Sequence, residues 1–360
     1  MVLLAIGTRK GLWLARSADG RASWTLSGPH HPMTAVYSVA IDTRRGSPRL
    51  LAGLHSEHFG PSVMTSDDLG GSWQEPDHAP VAFPEDTGTS LGQVWQIAPG
   101  PRSQPEVVYA GVEPSALFRS ADGGRTYELV RALWDHPHRA DWTPGFGGQA
   151  IHSVLPHPEN PDEVTVAMST GGVYKTTDGG RSWAASNSGI SAYFMPDPDP
   201  EFGQCVHKIA QHPDRPERFF AQNHHGVYRS DDGARTWQSI AEGLPSDFGF
   251  PMVVHPHRPE VIYTFPLTAD ALRFPPDGKC RVYRSEDGGG SWTALTAGLP
   301  EDGFWTAVLR DAMCVDDADP AGVYFGSRTG EVYGSADEGD SWSLIAQHLP
   351  DVLCVRAASV

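Results

Sequence analysis

Basic residues are in short supply. Among 360 residues, 27 Lys and Arg stand against 44 Asp and Glu, a formal net charge of −17 with histidine neutral. Such a surface repels phosphate backbones and anionic headgroups, so neither nucleic acid nor a membrane is an expected partner. Cysteine is sparse as well. Cys205, Cys280, Cys314 and Cys354 form no CxxC and no paired spacing, which argues against a disulfide framework and for free thiols in a reducing compartment. Long apolar runs are missing. The opening MVLLAIGTRKG lacks a basic lead-in, and its apolar stretch ends too early for a signal-peptide core or a bilayer span. A cytoplasmic location is the expectation.

Glycine and proline are plentiful, at 39 and 31 residues, enough for a turn-rich globular chain and too few for low complexity. The turns recur. The pattern Ser/Thr, any residue, Asp, three residues, Ser/Thr, aromatic occurs at 17–24, 66–73, 120–127, 176–183, 230–237, 285–292 and 335–342. Its aspartates (Asp19, Asp68, Asp122, Asp178, Asp232, Asp287, Asp337) are 49, 54, 56, 54, 55 and 50 residues apart. Each copy lies between two short β-patterned runs, such as GVYRS before Asp232 and TWQSI after it, and so marks a hairpin turn. The carboxylate and hydroxyls suit bonds to the turn's own amides. A glycine two residues after the Asp accommodates positive φ. Arg21 and Ala234 occupy that place in the first and fifth copies, where Gly20 and Gly233 are expected to shape the turn. The aspartates therefore read as structural, and the closing aromatics as packing between neighbouring sheets.

These repeats resemble the Asp box, the bacterial neuraminidase repeat, over nearly the whole chain. The resemblance implies an all-β fold, a seven-bladed β-propeller with four-stranded blades in a single domain over 1–360. Sialidases, xyloglucanases, sortilin-type receptors and photosystem II assembly factors share it. The repeats parse accordingly; the fifth supplies CVHKIA, RFFAQ, GVYRS and TWQSI. The first copy has VLLAIG, GLWLARS and SWTLS but no innermost strand, while VLCVRA at Val352–Ala357 follows the last copy unpaired. Pairing the two ends completes a blade, closes the ring and removes two exposed sheet edges.

The resemblance also places ligands on the face opposite the Asp-box turns, near the mouth of the central channel. Long segments at 76–93, 131–149, 187–204 and 266–279 fall there, and long loops on a rigid scaffold concentrate function. Their aromatics, including Trp95, Trp134, Trp142, Phe146 and Trp305, either fill small loop cores or wall a ligand pocket. Gly-Gln pairs recur at equivalent places, with Gln93 before Trp95, Gln149 before His152 and Gln204 before His207. His157, His212 and His255 each precede a proline and read as turn elements. His152, His207 and His224 are the expected ligands of a transition metal (Zn, Cu or Fe), with His225, His55 and His58 as alternatives. Hydrogen-bonding or packing roles compete with that assignment. Arg9, Arg310 and Arg328 are expected to fork onto a carboxylate, phosphate or sulfate, unless each pairs with a nearby carboxylate such as Asp311.

Three functions follow. The favoured one is a non-catalytic propeller that binds a small molecule or a peptide tail, using Arg9, Arg310, Arg328, Trp95, Trp142, Gln93, Gln149 and Gln204. The second is a metal-dependent enzyme acting on a small aromatic or polar substrate. The third is a glycoside hydrolase or lyase, with Glu57, Glu113, Asp141 and Asp311 as candidate catalytic carboxylates. Sialidase activity is disfavoured, because the Arg motif and Tyr–Glu pair of those enzymes have no match here. Oligomeric state is not legible.

Overall fold

The computed structural model describes residues 1–145 and 148–360. Its strands form six sheets. Four are four-stranded and antiparallel, beginning at Gln93–Pro99, Ile151–Pro156, Val206–His212 and Gly249–Val254. A three-stranded sheet begins at Ala35–Asp42, and the bridge between Thr65 and Gln74 stands where a fourth strand would lie. An eight-stranded sheet joins the set that begins at Val308–Val315 to the set formed by Val352–Ser359, Val2–Thr8, Gly11–Ser17 and Thr25–His30. A single parallel bridge, Asp311 to Cys354, links the two sets.

The first strand of each set packs on the first strand of the next. The succession runs from Ala35–Asp42 round to Val352–Ser359, which packs on Ala35–Asp42 again. The molecule is thus a closed ring with these strands around its axis. The C-terminal strand pairs antiparallel with the N-terminal one, from Val2 opposite Ser359 to Thr8 opposite Val352. The expected pairing over 352–357 holds and runs two residues further, to Ser359. Leu3, Leu4, Ile6, Val352, Cys354 and Val355 are fully buried in this seam, so water is excluded from its ladder.

Charge bridges the axis. Lys208 Nζ donates to Asp311 Oδ1 at 2.8 Å and to Gln96 Oε1 at 3.2 Å, while Arg356 of the closing strand pairs with the same Asp311 carboxylate. These side chains start on four different innermost strands, three of them not neighbours, so they meet across the centre. Burial alone would raise the Asp311 carboxyl, but Lys208 and Arg356 outweigh it and hold it below its ordinary value.

The repeated turns share one hydrogen-bond set. The first Ser/Thr hydroxyl donates to Asp Oδ1 at 2.7–2.9 Å. The second donates to Oδ2 at 2.6–2.8 Å. The second Ser/Thr amide closes on Oδ1. The first hydroxyl also accepts the amide two residues past the Asp, including those of Arg21 and Ala234 at 3.0 Å. Gly20 and Gly233 take positive φ of 71° and 77°, as expected, and the residue after each does so too. Arg21 and Ala234 adopt φ of 76° and 69° themselves, so the hydroxyl clamp imposes the left-handed conformation even without glycine. The closing aromatics reach the preceding sheet, as when Trp237 Nε1 donates to Ser186 O at 2.9 Å. With Thr236 and Trp237 committed in this way, the outermost strand expected at TWQSI shrinks to Gln238–Ser239. The His-Pro corners are structural: His157 Nδ1 accepts the amides of Glu159 and Asn160. Among the described residues no helix is long and apolar enough to cross a membrane.

Removing residues 352–360 exposes the Val2–Thr8 edge and the apolar seam; calorimetry of the truncated chain should show loss of the single cooperative transition. Acid supplies a second test. The hydrogen bond from the second serine, foremost, holds Asp19, Asp68 and Asp287 at about 2. An unfolded Asp titrates near ~3.9. The stability from these carboxylates is therefore complete above about pH 4 and lost as pH falls toward 2. Melting temperature should drop steeply over that interval, and Asp68→Asn should flatten the slope.

Candidate functional site

Every innermost strand carries a β-bulge near its start. The ladder skips between Val36 and Ser38, Val94 and Gln96, Ile151 and Ser153, and Val206 and Lys208. It skips again between Gly249 and Met252, between Val308 and Met313, and in the closing strand between Val352 and Cys354. The residues left out of the hairpin pairing are Tyr37, Trp95, His152, His207, Phe250 with Pro251, the stretch 309–312, and Leu353. A bulge bends its strand and re-aims the extra side chain. Repeated around the ring, it assembles one circle of side chains at the channel mouth.

Two cavities open on this circle. The first, about 280 Å³, is walled by Ser169, Thr170, Phe194, Cys205, His207, His224 and Asp270. The second, about 370 Å³, is walled by Arg9, Tyr37, Trp95, Leu309, Asp311, Arg328 and Leu353. Phe250, Arg273 and Arg310 line both, so the cavities are two lobes of one mouth.

Arg310 dominates the electrostatics. Its guanidinium lies 5.4 Å from the Trp95 ring centre, and among the described residues no carboxylate or carbonyl pairs with it. Burial pulls its pKa down. Arg273 sits with its guanidinium 5.5 Å from the Phe250 ring and, among the described residues, donates only to the Asp270 backbone carbonyl, at 2.9 Å. Arg9 and Arg328, by contrast, both pair with Asp351, at 3.5 and 2.8 Å. Burial first, then Arg310, hold His207 and His152 far below their usual pKa, so both imidazoles are neutral. Burial raises the Cys205 thiol, while Arg310 and hydrogen bonds from Thr170 and Ser169 oppose the rise.

No protein-family model and no curated protein matches the chain. Solved structures do. A GH74 enzyme of Niastella koreensis superposes with a TM-score of 0.65 at 16% identity, over 96% of this chain and 52% of that one. An ancestral GH74 enzyme gives 0.61 at 18% identity, over 87% of this chain and 38% of that one. YCF48 from Cyanidioschyzon merolae gives 0.52 at 12% identity, over 86% and 84%. These are β-propeller proteins. The chain is a β-propeller. It spans about half or less of the two GH74 enzymes, and at these identities the likeness speaks for the fold alone.

On this propeller the expected site residues divide. Trp95, Arg9, Arg310, Arg328, His207 and His224 line the mouth. His152 lies just beneath it, fully buried, with Nε2 3.3 Å from Ser169 Oγ and Nδ1 3.4 Å from Ser153 Oγ. His225 packs on Tyr193 and Phe194 beside His224; His55 and His58 sit on the hairpin at Arg49–Ser66, away from His207 in the ring order. Gln204 is a clamp, donating to Ile190 O and Pro200 O, whereas the Gln93 and Gln149 amide nitrogens have no partner among the described residues. Trp142 is a loop-core residue, not a pocket wall: it is buried and donates to Tyr174 Oη at 3.0 Å. Phe146 lies outside the described residues.

The four candidate carboxylates do not meet. Glu57 and Asp141 are exposed, Glu113 accepts the Trp95 indole N–H at 2.8 Å, and Asp311 is locked in the axial ion pair. Cys205, Asp270, Arg273 and Phe250 were missed. The sequence reads Cys205 only as a free thiol, although it precedes His207 by two residues; Arg273 and Asp270 arrive from the long insert at 266–279.

Asp311→Ala leaves the part-buried Lys208 and Arg356 without a counter-charge, which should cost up to about 3 kcal/mol in urea unfolding. Glu57→Gln and Asp141→Asn, both on the surface, should stay within about 0.5 kcal/mol of the parent.

Proposed function

We propose that this chain is a seven-bladed Asp-box propeller that binds, without transforming it, a ligand presenting a carboxylate on an apolar body, of which the C-terminal end of a peptide is the form that suits the mouth best. Arg310 carries the reading. A partly buried guanidinium without an anionic partner bears a desolvation cost that an incoming carboxylate offsets, and a forked pair fixes its orientation. Arg310 stands where both lobes meet, so a carboxylate held there directs the rest of the ligand along Phe250 and Phe194 or along Trp95 and Tyr37. Lobes of about 280 and 370 Å³ have room for a few side chains. The chain's overall charge of −17 repels anions elsewhere, which focuses them on this one basic spot. Glycoside hydrolysis has less support, since Glu57, Glu113 and Asp141 line neither lobe and Asp311 is neutralised by two cations.

The test is fluorescence anisotropy with labelled random hexapeptides bearing a free C-terminal carboxylate, compared with the same peptides amidated. Free carboxylates should be preferred, and Arg310→Ala should weaken that binding roughly ten- to a hundredfold, the worth of a charge-assisted hydrogen bond. Equal binding of both peptide sets, or indifference to Arg310→Ala, rejects the reading. Turnover of fluorogenic glucosides or sialosides above the buffer rate would favour the hydrolase instead.

A further inference from the structure

We propose that Cys205, His207 and His224 bind one zinc-type divalent metal ion at the wall of the first lobe, with the fourth coordination position open to the cavity. One ligand atom from each residue lies within 4.8 Å of the others. Around a tetrahedral ion with bonds of about 2.0–2.3 Å the same atoms stand roughly 3.3–3.8 Å apart. Closing that gap takes about 1 Å of side-chain movement. The backbone already brings the three together. Cys205 and His207 flank Val206 where the bulge turns the His207 ring inward, and the His224 N–H donates to Cys205 O at 2.8 Å.

The outer partners of the imidazoles distinguish this cluster from chance proximity. His207 Nδ1 donates to Gly249 O at 2.6 Å, which fixes the proton on Nδ1 and leaves Nε2 a free lone pair. The Asp270 carboxylate lies 3.5 Å from His224 Nε2, and with Nε2 so engaged Nδ1 is the nitrogen left for the ion. A carbonyl or carboxylate behind each imidazole is the usual support of metal-bound histidine.

The donor set selects the metal. One thiolate and two imidazoles favour Zn²⁺ and its softer neighbours over Mg²⁺ or Ca²⁺. As the sulfur–metal bond forms, the Cys205 proton leaves to solvent. The thiolate and Asp270 then balance the ion's charge against the repulsion of Arg273 and Arg310. His152, the ligand expected from the sequence, is replaced here by Cys205. Three protein ligands with one open position is the coordination pattern of reactive rather than structural zinc. The site does not depend on the carboxylate reading, because Arg310 is not one of its ligands.

The experiment titrates tag-free protein, stripped by chelator, with CoCl₂ and separately with ZnCl₂. One equivalent of Co²⁺ should bind with a near-ultraviolet thiolate-to-cobalt charge-transfer band. Cys205→Ser should abolish the band. His224→Ala, on a partly exposed turn, should weaken both metals at least about tenfold, in line with loss of a ligand. His225→Ala should change neither. Melting curves on each variant separate loss of metal from loss of fold, and His224→Ala serves as the readout if Cys205→Ser fails to fold. The proposal fails if the parent protein shows no such band or holds less than about 0.1 equivalent of zinc. It fails equally if the band survives Cys205→Ser or vanishes with His225→Ala.

Discussion

The ring is held shut by one seam between the two ends of the chain. Among the described residues, every other pair of named strands is a hairpin between neighbours in sequence, formed at little entropic cost, apart from the single parallel bridge of Asp311 to Cys354. The pairing of Val2–Thr8 with Val352–Ser359 is the exception, and it closes the longest possible loop. Without it, two sheets would present open edges and the inner strands would have no fixed partner on either side. The axial charges reinforce the same seam. Arg356 comes from the closing strand, Lys208 from the opposite side of the ring, and both converge on Asp311. Closure therefore settles whether Asp311 has its full complement of counter-charge as well as whether the sheet has an edge.

The same strands that close the ring build its mouth, and the bulges divide the labour. Asp311 and Arg310 are adjacent in sequence, yet one is spent in the axial ion pair and the other is left without an anion. The irregular stretch at 309–312 lets consecutive residues take different partners although both line the second lobe. A regular strand would send them to opposite faces of its sheet, with one of the pair packed against a neighbouring blade. The neutral His207 and the thiol of Cys205 belong to the same logic. Both sit where backbone departs from the ladder, and both are flanked by groups from the next strand or the next turn.

Much of this architecture is legible in the residues themselves. A four-position turn pattern, spaced by about one blade each time, reports the hairpins, and the unpaired segment at 352–357 reports the closure, because hydroxyl, carboxylate and alternation are local properties. Trp95 and His207 could be placed near one another because equivalent residues of successive repeats occupy equivalent positions round an axis, and Arg310 could be placed with Arg9 and Arg328 from its position just before the seventh innermost strand. What escaped was of another kind. The bulges follow from how each inner strand meets its neighbours, which no single segment encodes. Arg273 and Asp270 come from an insert whose path depends on Phe250 and His224 beneath it. The pairing of Arg9 and Arg328 with Asp351, rather than with Asp311, depends on which way a loop turns over the rim. The φ of Arg21 and Ala234 shows the converse, a local clamp strong enough to override an unsuitable residue.

A residue in a bulge contributes its side chain to the rim while giving the ladder no rung. Tyr37 and Trp95, both only half-buried, can therefore be exchanged with little disturbance to the pairing beneath them. The mouth of this molecule behaves as a set of interchangeable sockets on a constant chassis, and the chemistry it now displays is one setting among many that the same frame could carry.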